Sequence, residues 1–186
     1  MIEEVKKACL VMREGGLILY PTDTIWGIGC DATNPAAVER VYALKRRNDS
    51  KALLVLASSE AMLETYVENV PEVAWQLIEA ADKPLTIIYD KARNLAPNLI
   101  AADGSIGIRI TCEAFSKALC EAFRKPVVST SANLSGQPSP ANFPEISQEI
   151  REGVDYIVDY RRDEIAKSVP SSIIKLGEGG VFKILR

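Results

Sequence analysis

The stretch Leu17 to Asp31, LILYPTDTIWGIGCD, does most to limit what this chain can become. Leu17-Ile18-Leu19-Tyr20 is a continuous apolar run bounded by Gly and Pro, the pattern of a strand covered on both faces. Pro21 has no amide hydrogen to give a ladder, so the strand stops there or opens at its edge. Thr22, Asp23 and Thr24 then place two hydroxyls and a carboxylate at the strand end. One reading is a polar turn followed by a second strand with a core tryptophan. The other is the lip of a ligand pocket, with Trp26 as an apolar wall and Gly27 and Gly29 permitting close backbone approach. The run Gly27-Ile28-Gly29-Cys30-Asp31-Ala32 also fits the loose G-x-G-x-x-A dinucleotide pattern. That pattern has to open a helix directly after a strand, whereas here the next helix start is signalled only at Asn34-Pro35.

The chain has 186 residues, enough for one domain over 1–186 with a substantial core. Lys plus Arg number 22 against 25 Asp plus Glu, a net charge of −3, so any anion site has to be built locally rather than by a basic coat. No apolar stretch approaches the roughly 20 residues of a membrane helix, and MIEEVKKACLVMREGG is amphipathic rather than a signal peptide. The four cysteines, Cys9, Cys30, Cys112 and Cys120, have no C-x-x-C spacing and read as reduced thiols of a cytoplasmic protein. Histidine is absent. This removes Ser-His-Asp and Cys-His mechanisms and takes away the commonest zinc ligand, so no metal-ligating residues are expected. Chemistry has to come from alignment, charged side chains, hydroxyls and a metal ion arriving with a substrate.

Along the chain, Val5, Ala8, Cys9 and Met12 recur at helical spacing before Gly15-Gly16. Asn34 and Pro35 open a helix carrying Val38, Val41 and Tyr42 toward Lys45. Lys45-Arg46-Arg47 reads either as a solvated cap favoured by the helix dipole or as an anion clamp leading into a strand at Ala52 to Leu56. Short helices are expected from Ser58 or Ser59 to Tyr66 and from Pro71 onward, then a strand at Leu85 to Tyr89 and a loop over 90–105. Ile106, Ile108 and Ile110 alternate with Gly107 and Arg109, a strand with one arginine on its opposite face. A helix from Glu113 to Phe123 and a strand at Val127 to Ser129 precede the hydroxyl-rich run Ser129 to Ser139. That run is an ordinary polar loop or a cradle for phosphate oxygens. A helix from Glu145 to Arg151, a strand at Tyr156 to Val158 and a last pair at Ser172 to Leu176 and Val181 to Leu185 complete a mixed α/β order, one twisted sheet flanked by helices.

Taken together, these motifs resemble the threonylcarbamoyl-AMP synthase (YrdC-type) family. Tyr20-Pro21-Thr22-Asp23-Thr24 with Trp26-Gly27 is similar to its Y-P-T-[DE]-T-x-[YW]-G signature. Lys45-Arg46-Arg47 resembles its K-x-R, Pro84-Leu85-Thr86 its P-L-T, Arg109 its strand arginine, Ser129 to Gly136 its S-T-S-A-N-x-S-G, and Pro170-Ser171-Ser172 its P-S-T. The similarity runs in family order from near residue 10 to the terminus. Three positions depart from the pattern: Leu56 stands where a histidine is frequent, Ala81-Asp82-Lys83 where W-P-G is usual, and Asn48 where a proline follows K-x-R.

The resemblance implies an open, twisted mixed sheet around a central concave site of positive potential. It implies a cytoplasmic nucleotidyltransferase that makes threonylcarbamoyl-AMP and pyrophosphate from threonine, bicarbonate and ATP, with magnesium entering alongside ATP. The product would feed threonylcarbamoyladenosine modification of tRNA by a separate transferase. Carried over residue by residue, Thr24 would contact threonine with Ser129 and Ser171 beside it. Arg47, Thr86, Ser131, Ser139 and Arg186 would contact the nucleotide. Lys45 and Arg109 would add positive charge near the phosphates and the substrate carboxylate, making Lys45 and Arg47 the catalytic candidates, and Asn133 would brace its loop. Two other classes fit the same residues: a non-catalytic RNA-binding module using Lys45, Arg46, Arg47 and Lys51 as a weak contact patch, and a paralogue that uses ATP with a different amine or carbamoyl donor.

Overall fold

A computed structural model describes residues 1–46, 53–165, 170–176 and 182–185. Helix α1, Ile2–Arg13, buries Val5, Ala8, Cys9 and Met12 along one stripe, with Glu3 and Glu4 in its first turn and Arg13 in its last. Strand β1, Ile18–Tyr20, is buried at every position. It pairs antiparallel with β2, Gly27–Gly29, so the polar Pro21–Trp26 segment is the connection of a hairpin. Gly29 is needed there because a Cβ would come within 2.6 Å of the Tyr20 ring. Helix α2, Pro35–Leu44, starts as its sequence requires: the Asn34 side chain accepts from the amides of Ala36 and Ala37, and Pro35 takes the first turn.

Strand β3, Leu54–Ala57, leads to α3, Glu60–Tyr66, capped by Ser59, and to α4, Glu72–Ala80. Strands β4, Leu85–Tyr89, and β5, Ile106–Ile110, flank the 90–105 connection, which contains one 3-10 turn at Pro97–Leu99. Helix α5, Ala114–Phe123, is capped by the Glu113 carboxylate, and β6 runs Val127–Ser131. The helix expected over Glu145 to Arg151 is instead a 3-10 turn, Phe143–Glu145, and a short α6, Gln148–Glu152, because Asn142 and Ser147 each cap a separate start. Strands β7, Tyr156–Ile157, β8, Ser172–Leu176, and β9, Phe182–Ile184, follow.

The described strands form one open mixed sheet in the order β7-β1-β2-β6-β3-β5-β4-β8-β9. Pairs β1/β7, β3/β5 and β4/β8 are parallel and the others antiparallel. One face carries Leu19, Ile28, Val55, Ile87, Ile108, Val128 and Ile174, packed with Val38 and Val41 of α2, Leu63 of α3 and Ala74 of α4. The opposite face carries Ile18, Tyr20, Leu56 and Val127 under α1 and α5, whose Met12, Phe115 and Leu119 seal it. Side chains two apart on a strand share a face. Leu54, Arg109, Ser129 and Ser131 therefore lie on the α1/α5 face but beyond the reach of those helices, and the site lies there.

Candidate active site

The uncovered part of that face is a cavity of about 230 Å³, whose lining includes Thr24, Ile25, Leu54, Arg109, Ser129, Ser131, Ser139, Ser171 and Ile173. Sheet register brings these residues together from segments far apart in the chain: Leu54 sits opposite Ser129 on one side and Gly107 on the other, while Ser131 sits opposite Gly27. The lip after β1 is held by its own hydroxyls. Thr22 Oγ1 accepts from the Thr24 amide at 3.1 Å and donates to the Ile25 carbonyl at 2.7 Å, a local turn that aims Thr24 inward. Arg161 Nη1 donates to the Thr22 carbonyl at 3.2 Å from outside the hairpin.

Arg109 is the cation of the wall, with its side chain 3% exposed. Its Nη1 donates to Thr86 Oγ1 at 3.2 Å and its Nη2 to Thr24 Oγ1 at 3.4 Å. Nη2 also lies 2.9 Å from Asp23 Oδ1, off the hydrogen-bond direction, so that contact is chiefly coulombic. Burial pushes the Asp23 carboxyl up from its ordinary range, outweighing the downward pull of Arg109. Thr86 is fully buried, beneath the cavity rather than in its lining, and its hydroxyl is 2.9 Å from Ser171 Oγ. It joins Arg109 of β5 to the segment entering β8.

Of the expected site residues, Thr24, Arg109, Ser129, Ser131, Ser139 and Ser171 share the one cavity, with Ser139 exposed at its rim. Lys45 does not line it. Its buried ammonium donates to the carbonyls of Ser131 at 2.5 Å and Asn133 at 2.6 Å, while its own carbonyl accepts from the Ser135 amide, tying the end of α2 to the Ser-rich loop. Asn133 Nδ2 donates to the carbonyls of Leu134 and Gln137 within that loop. Arg47 and Arg186 lie outside the described residues, as do Asn48, which stands where a proline follows K-x-R, and Lys51 of the expected cationic patch.

Trp26 is not a wall of this cavity. It is 6% exposed in the opposite core, its ring 4.8 Å from that of Phe143, so the bland reading of a core tryptophan describes it. The cavity's apolar lining includes Ile25, Leu53, Leu54, Pro170 and Ile173. Leu56 is fully buried under α5 and does not line the cavity either. Ala81, Asp82 and Lys83 line a second hollow of about 270 Å³, shared with Asp23. Asp23 is the residue that sequence reasoning left without a role; the signal was a charged side chain between the two threonines of the lip. Among the described residues no cluster of three or more Cys, Asp or Glu side chains offers a metal site.

Among the described residues the cavity presents hydroxyls from four segments and one buried guanidinium, suited to carboxylate or phosphate oxygens. The same architecture occurs in known proteins. The chain is 33% identical over 182 residues to the threonylcarbamoyl-AMP synthase of Pseudoalteromonas translucida, covering 96% of each. It superposes on Pyrococcus abyssi Sua5 complexed with L-threonine with a TM-score of 0.86 and 26% identity. That match covers 98% of this chain and 53% of the Sua5 chain, so the chain spans about half of that protein. Escherichia coli YciO matches with a TM-score of 0.86 and 25% identity, over 100% of this chain and 89% of that one. A family model for Sua5, YciO and YrdC, described as telomere recombination, matches residues 10–186, and with the sheet, the hairpin lip and the serine loop all in place the chain belongs to the Sua5/YciO/YrdC family.

Proposed function

We propose that the chain is an L-threonylcarbamoyladenylate synthase, a nucleotidyltransferase supplying threonylcarbamoyl-AMP for tRNA modification by a separate transferase. Its 33% identity to a threonylcarbamoyl-AMP synthase over nearly the whole of both chains supports the reaction class. The single observation that carries the reading is the convergence of Thr24, Ser129, Ser171 and buried Arg109 on one cavity with Ser131 and Ser139.

In this reading, threonine lies against Thr24, Ser129 and Ser171 with its carboxylate toward Arg109. The ammonium gives a proton to solvent and the freed amine adds to carbon dioxide, which bicarbonate releases with loss of hydroxide; a second proton then leaves the nitrogen for solvent, and a carbamate remains. A carbamate oxygen then attacks the α-phosphorus of ATP, taken as its magnesium complex, and pyrophosphate leaves. The transition state spreads negative charge over phosphate oxygens, so alignment and fixed positive charge carry catalysis. Ser131 and Ser139 donate to the nucleotide, and Arg47 and Arg186 add cations to it. Lys45 keeps the serine loop in place, and Thr86 orients both Arg109 and Ser171. No histidine base is required.

The test is pyrophosphate release from ATP and bicarbonate, with and without threonine. The expected result is release that depends on threonine. Release indifferent to threonine would point to a paralogue with another amine, and no release under any condition would overturn the enzyme reading.

A further inference from the structure

Asp23 lies in the wall between two cavities. Arg109 lines the polar cavity, whereas Asp23 lines the hollow behind it with Ile78, Pro84, Leu85 and Ile110. The pair therefore spans the wall, guanidinium toward the site and carboxylate away from it, with Oδ1 and Nη2 2.9 Å apart. The Asp23 side chain is only 12% exposed and that of Arg109 3%. Hydroxyls of Thr24 and Thr86 already accept from this guanidinium, so the carboxylate is there for its charge rather than to fill a donor. The alignment is also poor: Oδ1 has no aligned donor and Arg109 Nε has no partner. A full negative charge here does one thing a neutral acceptor cannot. It cancels most of the field that Arg109 projects into the cavity.

We propose that Asp23 sets how tightly the cavity holds anions, by neutralising Arg109 from behind so that a polyphosphate is held weakly enough to leave. Asp23 acts on Arg109 and not on the ligand. The inference takes from the proposed function only that the cavity is an anion site. A unit charge within about 10 Å, at an effective dielectric of about 20, changes anion affinity by roughly tenfold or more before screening by salt.

The experiment is calorimetric titration of inorganic pyrophosphate into the full chain at fixed ionic strength, comparing wild type, Asp23→Asn and Asp23→Glu, each checked for folding by circular dichroism. Asp23→Asn is expected to bind pyrophosphate roughly tenfold more tightly and Asp23→Glu about as the wild type does. A purely structural Asp23 gives the opposite sign, since a loosened wall weakens binding. Unchanged or weaker binding by Asp23→Asn overturns this proposal alone. Failure of the wild type to bind pyrophosphate overturns it together with the anion-site reading. Should Asp23→Asn not fold, Asp23→Ser is read in the same way.

Discussion

Arg109 shows how strongly a buried charge constrains its surroundings. A guanidinium withdrawn from water needs its charge and donors answered, and here the hydroxyls of Thr24 and Thr86 accept from it while the Asp23 carboxylate offsets its charge, from two other segments of the fold. Arg109→Ala strands the Asp23 carboxylate in the wall, so it is expected to cost about 3 kcal/mol or more of stability as well as turnover. The double variant Asp23→Ala/Arg109→Ala should lose less than the two single changes added together, as read from denaturant unfolding. Strict additivity would mean that the pair does not interact. Glu4 makes a second, independent case. Burial alone would raise its carboxyl, but hydrogen bonds from Tyr156 Oη and the Asp159 amide, with Lys7 nearby, bring it down to about 2. A carboxyl lowered in the folded state stabilises fully above its unfolded value near 4.3 and loses that contribution as pH falls toward 2. Melting temperatures measured from pH 6 to pH 2 should therefore drop more for the wild type than for Glu4→Gln, and equal slopes would rule out Glu4 as a clasp between α1 and the β7 end. At this scale the sequence revealed which residue types carry chemistry. It did not reveal their partners: that Lys45 would donate to the carbonyls of Ser131 and Asn133 depends on where the loop after β6 folds back.

Among the elements, β5 has the strictest local demand. A Cβ at Gly107 would lie 2.6 Å from Leu54 Cδ2, the end of a flexible side chain that lines the cavity. Gly107→Ala should push Leu54 toward the ligand space, raising the KM for ATP several-fold while moving Tm by only about 2–4 °C, a shift equivalent to roughly 1 kcal/mol. A large Tm loss with unchanged KM would contradict that direction of relief. Helix α5 makes the complementary case, because fully buried Phe115 stacks on Tyr160 with ring centroids 5.6 Å apart and seals the covered half of the face. Phe115→Ala is expected to cost about 3–5 kcal/mol, measured by denaturant unfolding. Elements with a clean period were legible in the sequence: β4 and β5 begin and end where alternation and flanking turns place them. Strand β6 runs two residues further than the Val127 to Ser129 expected, because Thr130 and Ser131 pair with β2, a long-range partnership that no local pattern reports. The helix expected over 145–151 is divided because two caps, each readable alone, compete over a short span.

At the scale of the molecule, the site exists because two helices cover only half of one sheet face. Alternation along β5 was readable, so Gly107 and Arg109 could be assigned to a common side of their strand, whereas Ser131 was expected in a loop. Which side α1 and α5 would occupy was not readable, and Trp26 therefore looked like a pocket wall when it belongs to the opposite core. The same geometry explains why residues spread from Thr24 to Ser171 converge: every one sits on the uncovered half or on a connection at its edge. The central claim is that one hollow holds an amino acid and a triphosphate side by side. A crystal structure of the chain with threonine and a non-hydrolysable ATP analogue tests it most directly. The account predicts threonine within hydrogen-bond reach of Thr24, Ser129 or Ser171, its carboxylate at Arg109 and the α-phosphate adjacent to its amine. Threonine in the second hollow beside Asp23, or the two ligands in separate cavities, would contradict it.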